Sequence, residues 1–89
     1  MKFVNADVAA IFGQIADLLE VQGANTFRIR AYRNAARTIG ELGRSVADMI
    51  EAGEDLDQLP GVGPDLAGKI AEIVATGTCA QLEQLQHEM

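Results

Sequence analysis

Hydrophobic residues recur along the chain at steps of three and four, the spacing of helices with one buried face. The first stripe follows Asn5, a favourable helix N-cap, and ends before Gly23, a favourable C-cap. Its apolar positions are Val8, Ile11, Phe12, Ile15, Leu18 and Leu19. This spacing predicts a first helix between Asn5 and Gly23.

A second stripe predicts a helix that begins at Thr26 and runs to about Leu42, where two nearby glycines weaken helical structure. Two small alanines on its buried face would let a neighbouring helix approach closely. The predicted buried positions are Tyr32, Ala35, Ala36, Ile39 and Leu42.

The second half of the chain predicts shorter helices. Ser45 and Asp48 resemble a capping box that opens a third helix, which Gly53 closes. Residues 55–59 can form one short helical stretch. Pro64 suits the first position of a further helix, because its missing N–H would have no partner there.

The helix after Pro64 is expected to stop at Gly77, and Thr78 is expected to cap a final helix. The inward positions of these two helices are Leu66, Ile70, Ile73, Val74, Leu82 and Leu85. Strand-like alternation is absent. The sequence therefore predicts an all-α fold: a compact bundle of five to six short helices forming one domain over residues 1–89.

The segment Leu59-Pro60-Gly61-Val62-Gly63-Pro64 predicts a tight hairpin between two helices, a helix-hairpin-helix at about residues 55–77. Its two glycines permit a backbone turn that side chains would obstruct. The N–H groups of Gly61, Gly63 and the next helix start would converge on an anion, and a DNA backbone phosphate fits such a site. Such contacts carry no base information. The alternative is a plain inter-helix turn; a Walker-type loop is excluded because no Gly-Lys-Ser/Thr follows.

Charge is distributed unevenly. The net charge is −6, yet five of the seven basic residues fall within 17 positions where the only acid is Glu41. The five are Arg28, Arg30, Arg33, Arg37 and Arg44. We predict one basic side, with all of these except Arg28 opposite the buried face of the second helix. A phosphate contact is expected first of all from Arg33; the alternative is a solvated helix face.

Other chemistry is sparse. Cys79 is the single cysteine, which excludes an internal disulfide and a cysteine-based zinc site. The chain shows neither a signal-peptide core nor a run of about 18 apolar residues that would suggest a membrane helix. A cytoplasmic location without a membrane partner is expected.

Two motifs in a fixed order resemble the N-terminal domain of family X DNA polymerases, and are most similar to the bacterial branch that carries a PHP nuclease domain. They are Phe27-Arg-Ile-Arg-Ala-Tyr-Arg-Asn-Ala-Ala-Arg37 and Leu59-Pro-Gly-Val-Gly-Pro-Asp-Leu-Ala-Gly-Lys-Ile70, with Ala75-Thr-Gly77 after them. The resemblance implies an N-terminal piece of a longer polymerase of DNA repair, including base excision repair. In the family this domain holds the 5′-phosphate of gapped or nicked duplex DNA, and the polymerase site lies in downstream domains.

The resemblance also implies roles for individual residues. Arg28 and Tyr32 match the family's 5′-phosphate pocket, although Tyr32 could instead be a half-buried core residue. Lys69 matches the lysine that forms a Schiff base in members with deoxyribose-phosphate lyase activity. The family's second pocket lysine is Asp65 here, so the pocket charge and the lyase activity stay open.

The expected phosphate contacts are therefore Gly61, Val62, Gly63, Arg28, Tyr32, Arg33 and Lys69. By the same resemblance, the main-chain carbonyls of Asp57, Leu59 and Val62 match a monovalent cation site, for Na⁺ or K⁺; no cofactor is required. Three functions compete: DNA binding, lyase chemistry through Lys69, and a structural or protein-interaction domain. The clustered arginines argue against the last, and Asp65 argues against the lyase.

Overall fold

The computed structural model describes residues 5–77 and 80–88. Its elements are α1 (Asn5–Val21), α2 (Thr26–Glu41), α3 (Val46–Glu51), a 3₁₀ helix (Leu56–Gln58), α4 (Pro64–Thr76) and α5 (Ala80–Glu88). Over the described ranges every regular element is helical. The prediction of an all-α bundle of five to six short helices is confirmed.

A four-residue connection joins α1 to α2, and both of its ends are fixed by local hydrogen bonds. Gly23 has a φ of +73°, and the Ala24 N–H donates to the Leu19 carbonyl at 2.9 Å, as in a Schellman C-cap. The Asn25 side chain then accepts from the Phe27 N–H at 2.7 Å and caps α2. The predicted boundaries of these helices are confirmed to within two residues.

Helices α1 and α2 form the largest packed pair of the bundle. Between them the rings of Phe12 and Tyr32 meet edge to face, with centroids 5.5 Å apart and an interplanar angle of 86°. This ring contact holds Tyr32 in the core, where the residue is only 3% exposed. The start of α2, which carries Arg28, is thereby held at a defined place.

Helix α3 is attached to α1 through Asn5, whose side chain acts differently from the predicted cap of α1. Its Oδ1 accepts the Val46 N–H at 2.9 Å and its Nδ2 donates to the Arg44 carbonyl at 2.6 Å. The predicted Ser45 cap is confirmed, because the Ser45 hydroxyl accepts the Asp48 N–H at 3.3 Å. The α2–α3 connection is therefore bonded to α1 through Asn5 and to α3 through the Ser45 cap.

Helix α4 ends at Gly77 as predicted, with a φ of +87°. Its Glu72 carboxylate accepts the Ala80 N–H at 3.0 Å and so serves the start of α5. The predicted Thr78 cap lies outside the described residues, as does Cys79. Within the described ranges, no helix has the length and apolar character needed to cross a membrane.

All six elements contribute to one hydrophobic core. The hairpin contributes Val62, which is only 4% exposed, and the 3₁₀ helix contributes Leu56. Helix α4 adds Leu66, Ile70 and Ile73 from the predicted inward face. Because Val62 is inserted in the core, the backbone on either side of it is held rigidly at the surface.

Candidate functional site

The hairpin is built on a type II turn over residues 59–62. The Val62 N–H donates to the Leu59 carbonyl at 3.0 Å, with Pro60 and Gly61 at the two central positions. Gly61 has a φ of +77°, a conformation that residues with a side chain rarely adopt. Glycine is therefore needed at position 61 for the turn itself, as predicted.

The turn is also fastened to α2. The Thr38 hydroxyl donates to the Pro60 carbonyl at 2.9 Å, and a Cβ added to Gly61 would lie 3.6 Å from the Asn34 Cβ. Sequence reasoning missed both α2 residues. Their signal was present: two polar residues one helical turn apart lie between the buried face and the arginines of α2.

Gly63 differs from Gly61, and the expectation that the turn needs both glycines is wrong for this position. Gly63 has a φ of −89° and a ψ of 179°, which any residue adopts, and a Cβ placed there would meet no heavy atom within 4 Å. The fold therefore sets no requirement for glycine at 63. An open approach is left in front of the first turn of α4.

Two backbone N–H donors lie next to this opening. In the described part of the chain, the N–H groups of Gly61 and Gly63 donate no hydrogen bond, whereas the Val62 N–H is used by the turn. Gly63 is the N-cap of α4 and offers no side-chain oxygen to the helix start. Free donors and the positive end of the α4 dipole together form an anion-binding geometry. Val62 contributes its buried side chain to the anchoring of the loop.

The predicted continuous arginine face is wrong in two places. The Arg33 guanidinium lies 3.1 Å from the Asp17 carboxylate and 2.9 Å from that of Glu20, both on α1. Arg44 lies beyond the end of α2 and pairs with Glu54. Tertiary packing brings these acids from outside the basic segment, so the local sequence did not reveal them.

The ionisation of these groups reflects the pairing. The hydrogen bonds that Arg33 donates to the carboxylates of Glu20 and Asp17 raise the pKa of Arg33 above its ordinary value. The hydrogen bond from Arg44 lowers the pKa of the Glu54 carboxyl. Arg33 is thus locally neutralised, which weakens the expectation that it is the first arginine to contact phosphate.

Arg30 and Arg37 carry further positive charge on α2. Within the described residues neither forms an ion pair, and both are exposed. Arg37 donates to the Asn34 side chain at 3.3 Å, and Asn34 in turn adjoins Gly61. At 100° per residue, positions 30, 34 and 37 lie on one side of α2. Arg37 therefore lies next to the hairpin, and Arg30 shares its side of α2.

A second cluster unites Arg28 and Tyr32 of α2 with Asp65 and Lys69 of α4. Burial raises the pKa of Tyr32; the Asp65 carboxylate adds to this rise, whereas Lys69 and Arg28 oppose it, Arg28 partly through a hydrogen bond. The Lys69 ammonium lies 3.0 Å from the Asp65 carboxylate. The structure therefore brings together three predicted pocket residues, Arg28, Tyr32 and Lys69, with Asp65 as the acidic fourth member.

The other side of α4 carries a groove of about 400 Å³ between α3, the 3₁₀ helix and α4. Small α4 residues such as Ala67 and Gly68 form one wall. Glu54, Asp55 and Asp57 lie along the groove and would repel a phosphate backbone. Charge therefore distinguishes the two sides of α4, and the Lys69 side is the one suited to anions.

The predicted cation ligands lie in the 3₁₀ helix and the turn. The Leu59 carbonyl accepts the Val62 N–H, and a carbonyl oxygen has a second lone pair for a cation. Among the described residues, no group of three or more acidic, histidine or cysteine side chains is arranged to hold a metal ion. Any cation here would depend on main-chain oxygens.

Residues 4–79 match the model of a helix-hairpin-helix domain. The chain belongs to the helix-hairpin-helix domain family. It is also similar to the DNA polymerase/3′-5′ exonuclease PolX of Bacillus subtilis (strain 168), with 31% identity over 83 residues, which is 93% of this chain. The chain spans 14% of the length of that relative. The resemblance based on the two motifs is confirmed.

Proposed function

We propose that this chain binds the DNA backbone without base specificity through the hairpin at residues 59–64. The observation that carries the proposal is the open, glycine-lined approach at Gly63 to unused backbone N–H donors and the positive end of α4. A phosphate oxygen satisfies such donors, and the lack of a Cβ lets a strand come close. Backbone donors contact every nucleotide equally, which is why sequence preference is not expected.

The arginines support the same assignment. Arg37 lies next to the hairpin and Arg30 shares its side of α2. Among the described residues neither has an acidic partner, so both can contact neighbouring phosphates. Arg33 is held by α1 and has the smaller part. A protein-interaction domain would not need what the described residues show, N–H donors without a hydrogen bond in the hairpin and arginines without an ion pair on the adjoining helix.

The pocket of Arg28, Tyr32 and Lys69 supports a finer proposal, that the domain holds the 5′-phosphate side of gapped or nicked duplex DNA. These groups lie close together on two helices. Tyr32 is a hydrogen-bond donor at neutral pH because the ordinary pKa of a phenol is about 10, and burial raises the pKa of Tyr32 further. Charge-assisted hydrogen bonds from an arginine and a lysine suit a phosphate group at the 5′ end. The DNA end would then lie beside the hairpin that holds the backbone.

The similarity to a much longer DNA polymerase supports a place for this domain in such an enzyme. We infer that it positions DNA for polymerase domains downstream in the same polypeptide, in cytoplasmic DNA repair such as base excision repair. The domain supplies binding, and the polymerase reaction belongs to those other domains. Its contribution would be greatest on gaps, where a 5′ end is exposed.

A monovalent cation at the carbonyls of Asp57, Leu59 and Val62 is a further part of the proposal. It would neutralise carbonyl dipoles and provide positive charge next to the bound phosphate. DNA affinity is then expected to be higher in Na⁺ or K⁺ than in tetramethylammonium at the same ionic strength. Equal affinity in all three salts would remove the cation from the site.

The central experiment is a titration of the chain with intact, nicked and gapped duplexes in fluorescence anisotropy, each with and without a 5′-phosphate. Duplexes of the same type but unrelated base sequence should bind equally, and gapped DNA with a 5′-phosphate should bind best. Gly68→Ala is the matched control, since Gly68 is exposed on the groove side of α4. Absence of binding at low salt, or strong preference among sequences, would contradict the proposal.

A further inference from the structure

We propose that Asp65 is a specificity-determining residue that adapts the Arg28–Tyr32–Lys69 pocket to a phosphate group with one negative charge rather than two. The inference rests on the proposed function of this pocket and concerns which phosphate it prefers. It begins from the ion pair between Asp65 and Lys69, whose charged atoms are 3.0 Å apart.

The two partners differ in exposure. The Lys69 side chain is 19% exposed and that of Asp65 is 81% exposed, so the lysine is largely enclosed while the carboxylate faces water. A phosphate that binds Lys69 therefore comes next to the solvent-exposed carboxylate of Asp65. The carboxylate already supplies an oxygen at the place where a phosphate oxygen would bind the ammonium.

The second observation concerns Tyr32, whose hydroxyl lies within the influence of all three charged groups. Arg28 and Lys69 favour its ionised form and Asp65 disfavours it. The four groups are consequently close enough to interact electrostatically. A phosphate bound by the tyrosine would be attracted by Arg28 and Lys69 and repelled by the Asp65 carboxylate.

The net charge of the pocket indicates which kind of phosphate it prefers. Two cations and one carboxylate give the pocket a net charge of +1 with Tyr32 neutral. A backbone phosphodiester carries one negative charge and balances it. A terminal phosphate carries about −1.5 to −2 at neutral pH and leaves an excess of negative charge near Asp65. The pocket therefore matches the phosphodiester form.

The test uses three gapped duplexes that differ only at the downstream 5′ end: hydroxyl, phosphate methyl ester and free phosphate. Binding is measured at pH 7.5 and constant ionic strength for the wild type, Asp65→Asn and Glu83→Gln. Glu83→Gln is the matched control, because it also removes one negative charge, from an exposed position on α5.

For the wild type, the methyl ester should bind at least as tightly as the free phosphate, and both should bind more tightly than the hydroxyl. Asp65→Asn should reverse the order of the two phosphates, with the free phosphate favoured by about fivefold, as expected for removal of one like charge about 4 Å away in water. Glu83→Gln should keep the wild-type order.

The failures are distinguishable. The same order of ligands in the wild type and Asp65→Asn would overturn the role of Asp65 alone. Equal binding of all three duplexes by both proteins would overturn the phosphate pocket and leave the hairpin as the DNA contact. Loss of all DNA binding by the wild type would overturn the proposed function together with this inference.

Discussion

The Thr38 hydroxyl donates a hydrogen bond to the Pro60 carbonyl at 2.9 Å and ties the hairpin to the middle of α2. The bond joins residues 22 positions apart, and a Cβ added to Gly61 would lie 3.6 Å from the Asn34 Cβ and 3.9 Å from the Thr38 hydroxyl oxygen. The hairpin donors are thereby fixed relative to the arginines of α2. Both surfaces can then contact one DNA backbone together.

Removal of this bond should weaken both stability and binding. Thr38→Val preserves the shape but deletes the donor, and we expect the free energy of unfolding in urea to fall by about 0.5–1.5 kcal/mol. DNA affinity should also fall, because the hairpin is less firmly placed. Thr38→Ser retains the hydroxyl and should behave like the wild type; equal losses in both variants would contradict the assigned bond.

The two hairpin glycines should respond differently to alanine. Gly63→Ala should leave the melting temperature almost unchanged, since its backbone is extended and its Cβ points into open space, but should weaken DNA binding. Gly61→Ala should lose about 1–2 kcal/mol of stability because of its positive φ. Normal DNA affinity in a folded Gly63→Ala protein would contradict the approach of a strand at this residue.

Salt dependence separates the arginines. With about three to four phosphate contacts, the plot of log affinity against log salt should have a slope near −3. Arg30→Ala and Arg37→Ala should each reduce this slope by about 1, whereas Arg33→Ala should leave it close to the wild-type value because Arg33 is held by Asp17 and Glu20. A large slope change in Arg33→Ala alone would restore the sequence-based expectation.

This contrast shows what the sequence could predict. The ends of α2 and α3 follow from residues that cap their own helix, such as Ser45, and these signals lie within four positions of their partners. The pairing of Arg33 depends on how α1 packs against α2, which no local pattern encodes. The Asn5 contact with the α2–α3 connection, 41 positions away at Val46, was hidden for the same reason.

In the candidate site too, the sequence could predict the features that depend on local structure but not those that depend on tertiary contacts. The turn motif identified Gly61 because the local φ demands glycine, but it could not show that Gly63 is free of that demand. The helical spacing placed Arg28 and Tyr32 on one face, and the motif resemblance added Lys69. Thr38 escaped notice because its partner is a main-chain carbonyl, to which any residue at position 60 could contribute.

Tyr32 offers a test that depends on pH. Burial raises its folded-state pKa above that of the unfolded chain, which is about 10. The neutral phenol therefore stabilises the fold below pH 10, and this stability is lost as the pH rises towards the folded-state pKa. The unfolding free energy of the wild type relative to Tyr32→Phe should fall above pH 10, and a constant difference would contradict the burial of the hydroxyl.

The 5′-phosphate contact should depend on Arg28. Gapped DNA with a 5′-phosphate should bind more tightly than the 5′-hydroxyl form, and Arg28→Ala should erase most of this difference, since a hydrogen bond to a charged group contributes about 1.5–3 kcal/mol. Tyr32→Phe should erase a smaller part because it removes a neutral donor. Arg44→Ala is the control, as Arg44 pairs with Glu54 away from the pocket. If Arg28→Ala keeps the full phosphate effect, the pocket is misassigned.

Lys69 presents the sharpest conflict between two functions. A lysine that attacks the aldehyde of a 5′-deoxyribose phosphate must first lose its proton. Partial enclosure of the side chain favours that loss, but the Asp65 carboxylate 3.0 Å away favours the ammonium form and takes up the nitrogen that would attack. The ion pair acts directly on the ammonium nitrogen, so its effect on the protonation of Lys69 outweighs that of the partial enclosure. We therefore expect Lys69 to act as a cation and not as an efficient nucleophile.

Borohydride trapping on gapped DNA that carries a 5′-deoxyribose phosphate decides between the two. The wild type should give little or no trapped product, and Asp65→Lys should give more, because it removes the carboxylate and adds a cation that disfavours the ammonium of Lys69. Asp65→Lys combined with Lys69→Ala is the control that shows which lysine is trapped. Robust trapping by the wild type that disappears in Lys69→Ala would establish the lyase and show that the ion pair opens when the DNA end binds.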